Sequence, residues 1–315
     1  MAGIVPDITR AFGDTPLVRL NALAEGVQAE VVAKLEFYNP GASVKDRLGY
    51  ALIEAAEQSG ALQPGGTIVE STSGNTGIAL ALIGAARGYR VILTMPASMS
   101  KERRTLLKAY GAELVLTDPY KGMTEAVETA ERIAAETPGA VLAHQFESAA
   151  NAAIHRRTTA EEIWRDTDGR VDVFVAGSGT GGTVTGVGQV LKERNPDVKV
   201  VVVEPADSPV LSEGRAGGHR IQGIGPNFVP PVLDRSVIDE VVDVQFDDAI
   251  RVARELATRE GILAGMSAGA AVWAALEIAD RPESAGKRIV VIVPDAGERY
   301  LSTALYAHLQ DEVTA

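Results

Sequence analysis

The chain contains no cysteine. Disulfides, thiolate nucleophiles and cysteine-ligated zinc are therefore excluded. Histidine is scarce as well: His144, His155, His219 and His308 are too scattered in sequence to predict a metal site, and they are read as structural or surface groups. Positive charge is in deficit, with 30 Lys and Arg against 42 Asp and Glu, a net charge of −12. Such a surface repels phosphate backbones and anionic lipid, so neither a nucleic-acid nor a membrane-surface partner is expected. No stretch approaches the roughly 18 consecutive apolar residues of a membrane helix. The opening MAGIVPDITRAFGDTP has no basic segment followed by an apolar core, so no secretory leader is expected and the predicted location is cytoplasmic. Fixed-period repeats and low-complexity segments are also absent.

What is present is ample material for a core: 315 residues, 46% of them hydrophobic and 23% charged. At about 150 residues per domain, this length predicts about two domains. Short β-branched runs alternate with Ala-rich helical stretches, the pattern of a parallel sheet covered by helices. Strands are predicted at residues 31–36, 67–70, 90–95, 113–116, 171–176, 200–204 and 289–293. The runs Val200-Val201-Val202-Val203 and Ile289-Val290-Val291-Ile292-Val293 are continuously apolar, as strands buried on both faces are. Helices are predicted at 45–58, 75–87, 100–110, 123–136, 182–194, 247–260 and 268–279. Ile250, Ala253, Leu256 and Ala257 share one face of such a helix. Residues 206–231, rich in Gly and Pro, form an irregular stretch of a kind usually functional or mobile. Two α/β units follow, with a boundary near residues 145–155.

Two glycine-rich turns stand between a predicted strand and a predicted helix. The first is Glu70-Ser71-Thr72-Ser73-Gly74-Asn75-Thr76-Gly77, and the second is Gly177-Ser178-Gly179-Thr180-Gly181-Gly182-Thr183. A helix N-terminus has unpaired N–H donors and partial positive charge, so it binds anions without Lys or Arg. Glycine lets the backbone come close to the anion, and Ser or Thr hydroxyls add donors. The plainer reading is that any strand-to-helix turn needs Gly and a cap. Neither turn is a P-loop, because no Gly-Lys-Ser/Thr follows. The spacing Gly177-x-Gly179-x-x-Gly182, with Glu204 about 20 residues on as a ribose partner, keeps a dinucleotide-binding oxidoreductase open as a rival.

Asn39-Pro40-Gly41-Ala42-Ser43-Val44-Lys45-Asp46-Arg47 begins a predicted helix. A lysine there opposes the helix dipole, which raises the fraction of free amine and suits a Schiff-base lysine. The plainer alternative is a solvated Lys45 paired with Asp46. Gly265-Met266-Ser267-Ala268-Gly269 leads into another Ala-rich helix, with Ser267 as its expected N-cap. Pro294-Asp295-Ala296-Gly297-Glu298-Arg299-Tyr300 follows the last buried strand, at the sheet end where ligands bind.

Taken together, these motifs resemble those of the cysteine synthase family, the O-acetylserine sulfhydrylases, among the tryptophan-synthase-β-like, fold-type II pyridoxal-phosphate enzymes. The resemblance runs from Thr15-Pro16-Leu17-Val18-Arg19-Leu20 to Gly297-Glu298-Arg299-Tyr300-Leu301-Ser302-Thr303, through Leu93-Thr94-Met95-Pro96 and Ile221-Gln222-Gly223-Ile224-Gly225. It implies an α/β fold of two domains, each a mainly parallel twisted sheet covered by helices, with pyridoxal 5'-phosphate in the cleft between them. Residues 40–148 would be the smaller, mobile domain that binds the substrate carboxylate, and 1–39 plus 149–315 the larger, phosphate-anchoring one. It further implies that Lys45 carries the cofactor as a Schiff base and later takes the substrate Cα proton. Thr72, Ser73, Gly74, Asn75, Thr76, Gln145 and Gly223 would bind the substrate, Asn75 also reaching the cofactor's phenolic oxygen. Gly179, Thr180, Gly181, Gly182 and Thr183 would cradle the phosphate. Ser267 would face the pyridine nitrogen with a neutral hydroxyl, leaving the ring a weaker electron sink, which suits β-elimination.

The implied reaction is β-replacement on O-acetyl-L-serine through an aminoacrylate, most simply with sulfide to give L-cysteine and acetate. A homodimer, and binding of the C-terminal tail of serine acetyltransferase, are further implications of the resemblance. Departures from the family pattern point at the second substrate. The family's Gln-Phe-x-Asn-Pro-Ala-Asn-Pro reads Gln145-Phe146-Glu147-Ser148-Ala149-Ala150-Asn151-Ala152 here, without either proline. Ala268 replaces a second serine, Pro226-Asn227 stands where Ala-Gly is common, and Asp295-Ala296-Gly297 where many members have Ser-Ser-Gly or Asp-Phe-Gly. A thiol, a hydroxyurea or an amine as nucleophile, or O-phosphoserine as donor, are the alternatives.

Overall fold

The alternation of β-branched runs with Ala-rich helices is realised as two separate sheets in the computed structural model, which describes residues 3–72 and 74–313. In chain order the regular elements begin with β1 (Leu17–Arg19), β2 (Glu30–Leu35), α1 (Lys45–Gln58), β3 (Thr67–Ser71) and α2 (Asn75–Arg87). They continue with β4 (Arg90–Pro96), α3 (Lys101–Ala109), β5 (Glu113–Thr117), α4 (Gly122–Glu136), β6 (Ala140–Leu142), α5 (Ala150–Arg157) and α6 (Thr159–Asp166). The remainder are β7 (Val173–Gly177), α7 (Gly182–Arg194), β8 (Lys199–Pro205), β9 (Glu240–Val244), α8 (Phe246–Glu260), α9 (Met266–Ala279), β10 (Arg288–Val293) and α10 (Ala307–Val313). Every strand and helix predicted from the pattern is there, its ends shifted by two residues or fewer. The pattern missed β1, β6 and β9, which are short or only half-buried and so lack a long apolar signature.

The chain divides into two units, one made of Met1–Phe12 with Asn39–Asn151 and the other of Gly13–Tyr38 with Ala152–Ala315. In the second unit the sheet order is β1-β2-β10-β7-β8-β9, parallel except for the antiparallel β1 edge. Side chains alternate faces along a strand, so a run of four valines supplies both. Val201 and Val203 join Val173, Val175, Ile289 and Val291 in a core that includes α8 and α9 residues such as Leu256 and Ala271. Val200 and Val202 join Phe174, Ala176, Val290 and Ile292 in the opposite core, with Ile163 of α6 and Val187 and Leu191 of α7. Each fully buried valine contributes about 1.5–3 kcal/mol of transfer free energy, which is why neither face tolerates a polar residue. Residues 206–231 contain no helix or strand, in agreement with their Gly and Pro content.

In the first unit the order is β5-β4-β3-β6, all parallel. α1 and α2 cross closely, and a Cβ at Gly49 would lie 2.8 Å from the Ala79 Cβ. The sequence reading assigned 1–39 to the larger domain, but the stretch up to Phe12 goes with this smaller unit. Arg10 Nη1 donates to the Tyr50 hydroxyl at 2.5 Å, and Arg87 Nη2 donates to Thr9 Oγ1 at 3.3 Å. Both guanidinium groups also lie over the Tyr50 ring, at 5.4 and 4.9 Å. Among the described residues no helix is long and apolar enough to cross a membrane, and no group of three acidic or histidine side chains could hold a metal ion.

Candidate active site

In the first unit, β3 delivers the chain into the turn at Thr72, and α2 begins at Asn75. The N-cap Gly74 has extended backbone and no side chain caps the helix. The Gly74 N–H donates to Thr72 Oγ1 at 3.2 Å, shaping the turn, and a Cβ at Gly74 would meet nothing within 4 Å. Ser73, a predicted substrate residue, lies outside the described residues. The structure brings Gln145 to this turn from 69 residues away: the Thr76 hydroxyl donates to its Oε1 at 2.6 Å. Gln145 Nε2 donates to Glu70 Oε1 at 3.4 Å, and Asn151 Nδ2 donates to the Gln145 carbonyl at 2.8 Å. Asn151, which the family pattern also has at this position, thus ties the segment back to Gln145 although both prolines are missing.

Glu70 was not singled out by the sequence, although an acidic residue ending an apolar strand is a visible signal. It is buried, and burial pushes its carboxyl up to about 7, with the His144 backbone N–H and the Gln145 amide pulling the other way. Lys45 is the first residue of α1, as predicted, and its backbone N–H donates to Ser43 Oγ at 3.2 Å. Asp46 is buried and accepts the Gly41 N–H through Oδ2.

In the second unit, β7 ends at Gly177 and α7 begins at Gly182. Gly181, the N-cap, holds φ +86°, and a Cβ there would lie 2.7 Å from the Leu233 Cβ. Such a position requires glycine. No side chain caps α7. The turn is closed from behind by residues 221–225: Gly225 N–H donates to the Ser178 carbonyl at 2.9 Å, and a Cβ at Gly179 would approach the Gly223 carbonyl at 3.0 Å. A Cβ at Gly223 would in turn lie 3.3 Å from Ser267 Oγ. Gly179, Gly223 and Ser267 are therefore neighbours. Ser267 was expected to cap its helix; instead α9 starts at Met266 with Gly265 as N-cap. The serine sits in the first turn, its hydroxyl not used on its own helix end. Thr183 Oγ1 is 3.2 Å from His155 Nε2, and His155 Nδ1 is 2.8 Å from Thr159 Oγ1, which makes that histidine structural.

The glycine pattern at 177–182 does not extend to a dinucleotide site. Glu204, the expected ribose partner, is buried and accepts the backbone N–H groups of Leu211 and Ser212, each at 2.8 Å. Its carboxylate holds the irregular 206–231 stretch and has no free face for a hydroxyl. What remains is a backbone cradle at an uncapped helix start, a donor set that fits a phosphate group. A family model for pyridoxal-phosphate dependent enzymes matches residues 8–295. The chain belongs to that family. Its relatives within the family include cysteine synthases. Cysteine synthase A of Escherichia coli is 51% identical, over 99% of this chain and 98% of that protein. The crystal structure of a cysteine synthase from Entamoeba histolytica superposes with a TM-score of 0.94 at 46% identity, covering 97% of this chain and 92% of that one. The structure of an O-ureido-L-serine synthase matches equally well, with a TM-score of 0.94 at 46% identity, covering 99% and 100%. The family is dependent on pyridoxal phosphate, and the cradle at 179–183 has the chemistry to receive its phosphate.

Proposed function

We propose that this chain catalyses β-replacement on O-acetyl-L-serine with sulfide, giving L-cysteine and acetate. The observation that carries this reading is the pair of uncapped, Gly- and Thr-lined helix starts, one in each unit, each built to receive an anion. One suits the phosphate of the cofactor and the other the carboxylate of an amino acid. Bound pyridoxal phosphate supplies the electron sink that weakens the Cα–H bond of the amino acid.

The chain's own groups do the rest. The backbone at Gly179, Thr180, Gly181, Gly182 and Thr183 would anchor the phosphate, and Lys45 Nζ would hold the cofactor. Lys45 Nζ would take the Cα proton as acetate leaves Cβ, and would return it to Cα when hydrosulfide adds at Cβ. Ser267 offers the pyridine nitrogen a neutral hydroxyl. Thr72, Ser73, Gly74, Asn75, Thr76, Gln145 and Gly223 bind the substrate, the 72–76 turn taking its carboxylate and Asn75 also serving the phenolic oxygen. Residues 40–148 act as the mobile substrate-binding domain, and its closure excludes water from the reacting centre.

The enzyme works as a cytoplasmic homodimer, and its carboxylate turn accepts the C-terminal tail of serine acetyltransferase. Sedimentation and calorimetry with a tail peptide test these two points. A second reading, with a hydroxyurea, thiol or amine as nucleophile or O-phosphoserine as donor, is favoured by Pro226-Asn227, Ala268, Asp295-Ala296 and the altered loop after Gln145. It is also favoured by the likeness to O-ureido-L-serine synthase.

One experiment separates the readings. The visible spectrum of the purified protein is recorded, O-acetyl-L-serine is added alone, and nucleophiles are then compared by kcat/KM. The expected result is a cofactor band that O-acetyl-L-serine shifts and sulfide restores fastest, with neither event in Lys45→Ala. A faster nucleophile than sulfide would replace the cysteine-forming reading with the second one. A protein that takes up no cofactor would end both.

A further inference from the structure

None of the roles above uses the carboxylate of Glu70, one residue before the end of β3. Glu70 is 6% exposed, and its side chain lies behind the turn at Thr72 rather than in solvent. It accepts two N–H groups from the segment that follows β6: the backbone N–H of His144 and Nε2 of Gln145. His144 holds φ +52°, a left-handed conformation that a residue with a Cβ adopts only when its surroundings impose it. The bond to Glu70 is one such constraint. Gln145 is itself buried and bonded at each end, with Oε1 on the Thr76 hydroxyl and Nε2 on Glu70.

Chemistry decides the orientation of that amide. An ionised carboxylate only accepts, so it selects Nε2 and turns Oε1 toward Thr76. Flipped by half a turn, the amide would set oxygen against oxygen at Glu70. Glu70 takes one of the two hydrogens on Nε2 and leaves the other. The Thr76 hydroxyl has a single proton, already donated to Gln145, so Thr76 serves an anion through its backbone N–H at the start of α2.

We propose that Glu70 is a positioning residue for the amino-acid substrate, fixing Gln145 so that an N–H and not a carbonyl oxygen meets the bound carboxylate. The inference rests on the reading of the 72–77 turn and Gln145 as the substrate-carboxylate site. An ionised Glu70 behind the site would also repel the incoming carboxylate. Burial raises it to about 7 and Glu147 pushes in the same direction, and a protonated Glu70 still has its carbonyl oxygen as acceptor for Gln145 Nε2. The other nearby titratable group on this segment, His144, is half exposed and faces Glu147 at 3.6 Å.

The test compares wild-type holoenzyme with Glu70→Ala and Glu70→Gln. The probe is L-alanine, an amino acid with no leaving group, whose binding is followed by the cofactor's absorbance; KM and kcat for O-acetyl-L-serine with sulfide are measured beside it. Glu70→Ala is expected to raise the L-alanine Kd and the substrate KM about tenfold or more, with kcat within about threefold and cofactor content unchanged. Glu70→Gln keeps an acceptor oxygen and is expected to return both to within about twofold. If the alanine variant does not fold, Glu70→Met, which keeps volume without the acceptor, takes its place. Unchanged L-alanine affinity in a folded acceptor-less variant would overturn the proposal, as would Glu70→Gln failing as badly as Glu70→Ala. If wild-type holoenzyme binds no amino acid, the carboxylate-site reading falls and this inference with it. If wild type binds L-alanine and the acceptor-less variant binds it equally, only this inference falls.

Discussion

The two strand-to-helix turns have similar compositions but different surroundings. At 177–183 the glycines are forced by neighbours: a Cβ at Gly177 would lie 2.6 Å from Ile224 Cγ2, and one at Gly181 2.7 Å from Leu233 Cβ. At 72–77 the N-cap Gly74 has open space, and what backs the turn is a buried polar chain of Thr76, Gln145 and Glu70. The first arrangement is rigid and apolar behind, suited to a group that stays. The second is polar behind and open in front, suited to a ligand that comes and goes. Two turns that begin as equivalent anion sites are thus differentiated by packing that lies far away in sequence.

The strongest challenge to this contrast is Gly181→Ala. Left-handed backbone and the approach to Leu233 together should cost about 2–4 kcal/mol. Denaturant unfolding and cofactor content of the purified variant measure it, and a loss under about 1 kcal/mol would mean that the turn is not rigidly packed. Next in size is the effect of pH on the first unit. Glu70 in the fold is raised to about 7 from an ordinary value of 4.5, so the fold holds the proton that the unfolded chain releases. Stability attributable to this group is full below pH 4.5, falls as pH rises to about 7 and is flat above, a loss of about 3 kcal/mol. Hydrogen exchange should show protection falling over that window in β3 and α2 but not in β7 and α7, and Glu70→Gln should flatten the profile.

A smaller effect belongs to Thr76→Val, which leaves Gln145 Oε1 without its hydroxyl donor. A cost of about 1–3 kcal/mol is expected, with weaker amino-acid binding and unchanged cofactor affinity. Equal losses of both would show that the two turns are not separable. The smallest effect is predicted for Gly74→Ala, which meets nothing within 4 Å at φ −109°. Its melting temperature should match wild type, within about 0.5 kcal/mol, and any change should be confined to substrate KM.

The sheets were legible because their strands are buried on both faces. Val200 to Val203 read as a strand before any contact is known. The helices α1, α2 and α7 were legible to the residue, since Asn75 and Gly182 follow glycines and Lys45 comes shortly after the Pro40-Gly41 turn. β1 and β9 escaped notice because edge strands bury only part of their surface. Among the proposed site residues, Lys45 and the two turns were visible in the linear pattern. Ser267 was visible but misassigned as a cap, because the helix starts two residues earlier than its own composition suggests.

The sequence by itself determined where helices begin after strands, and with that the position of both anion-ready turns and of Lys45, because periodicity and turn chemistry are local. Only tertiary structure decided how the buried acids are used. Glu204 and Glu70 look alike in sequence, each ending an apolar strand run. One is consumed by backbone amides seven and eight residues ahead, and the other orients a glutamine 75 residues away. A buried carboxylate must find donors wherever the fold brings them, and those partners are set by strand order, not by the neighbouring residues.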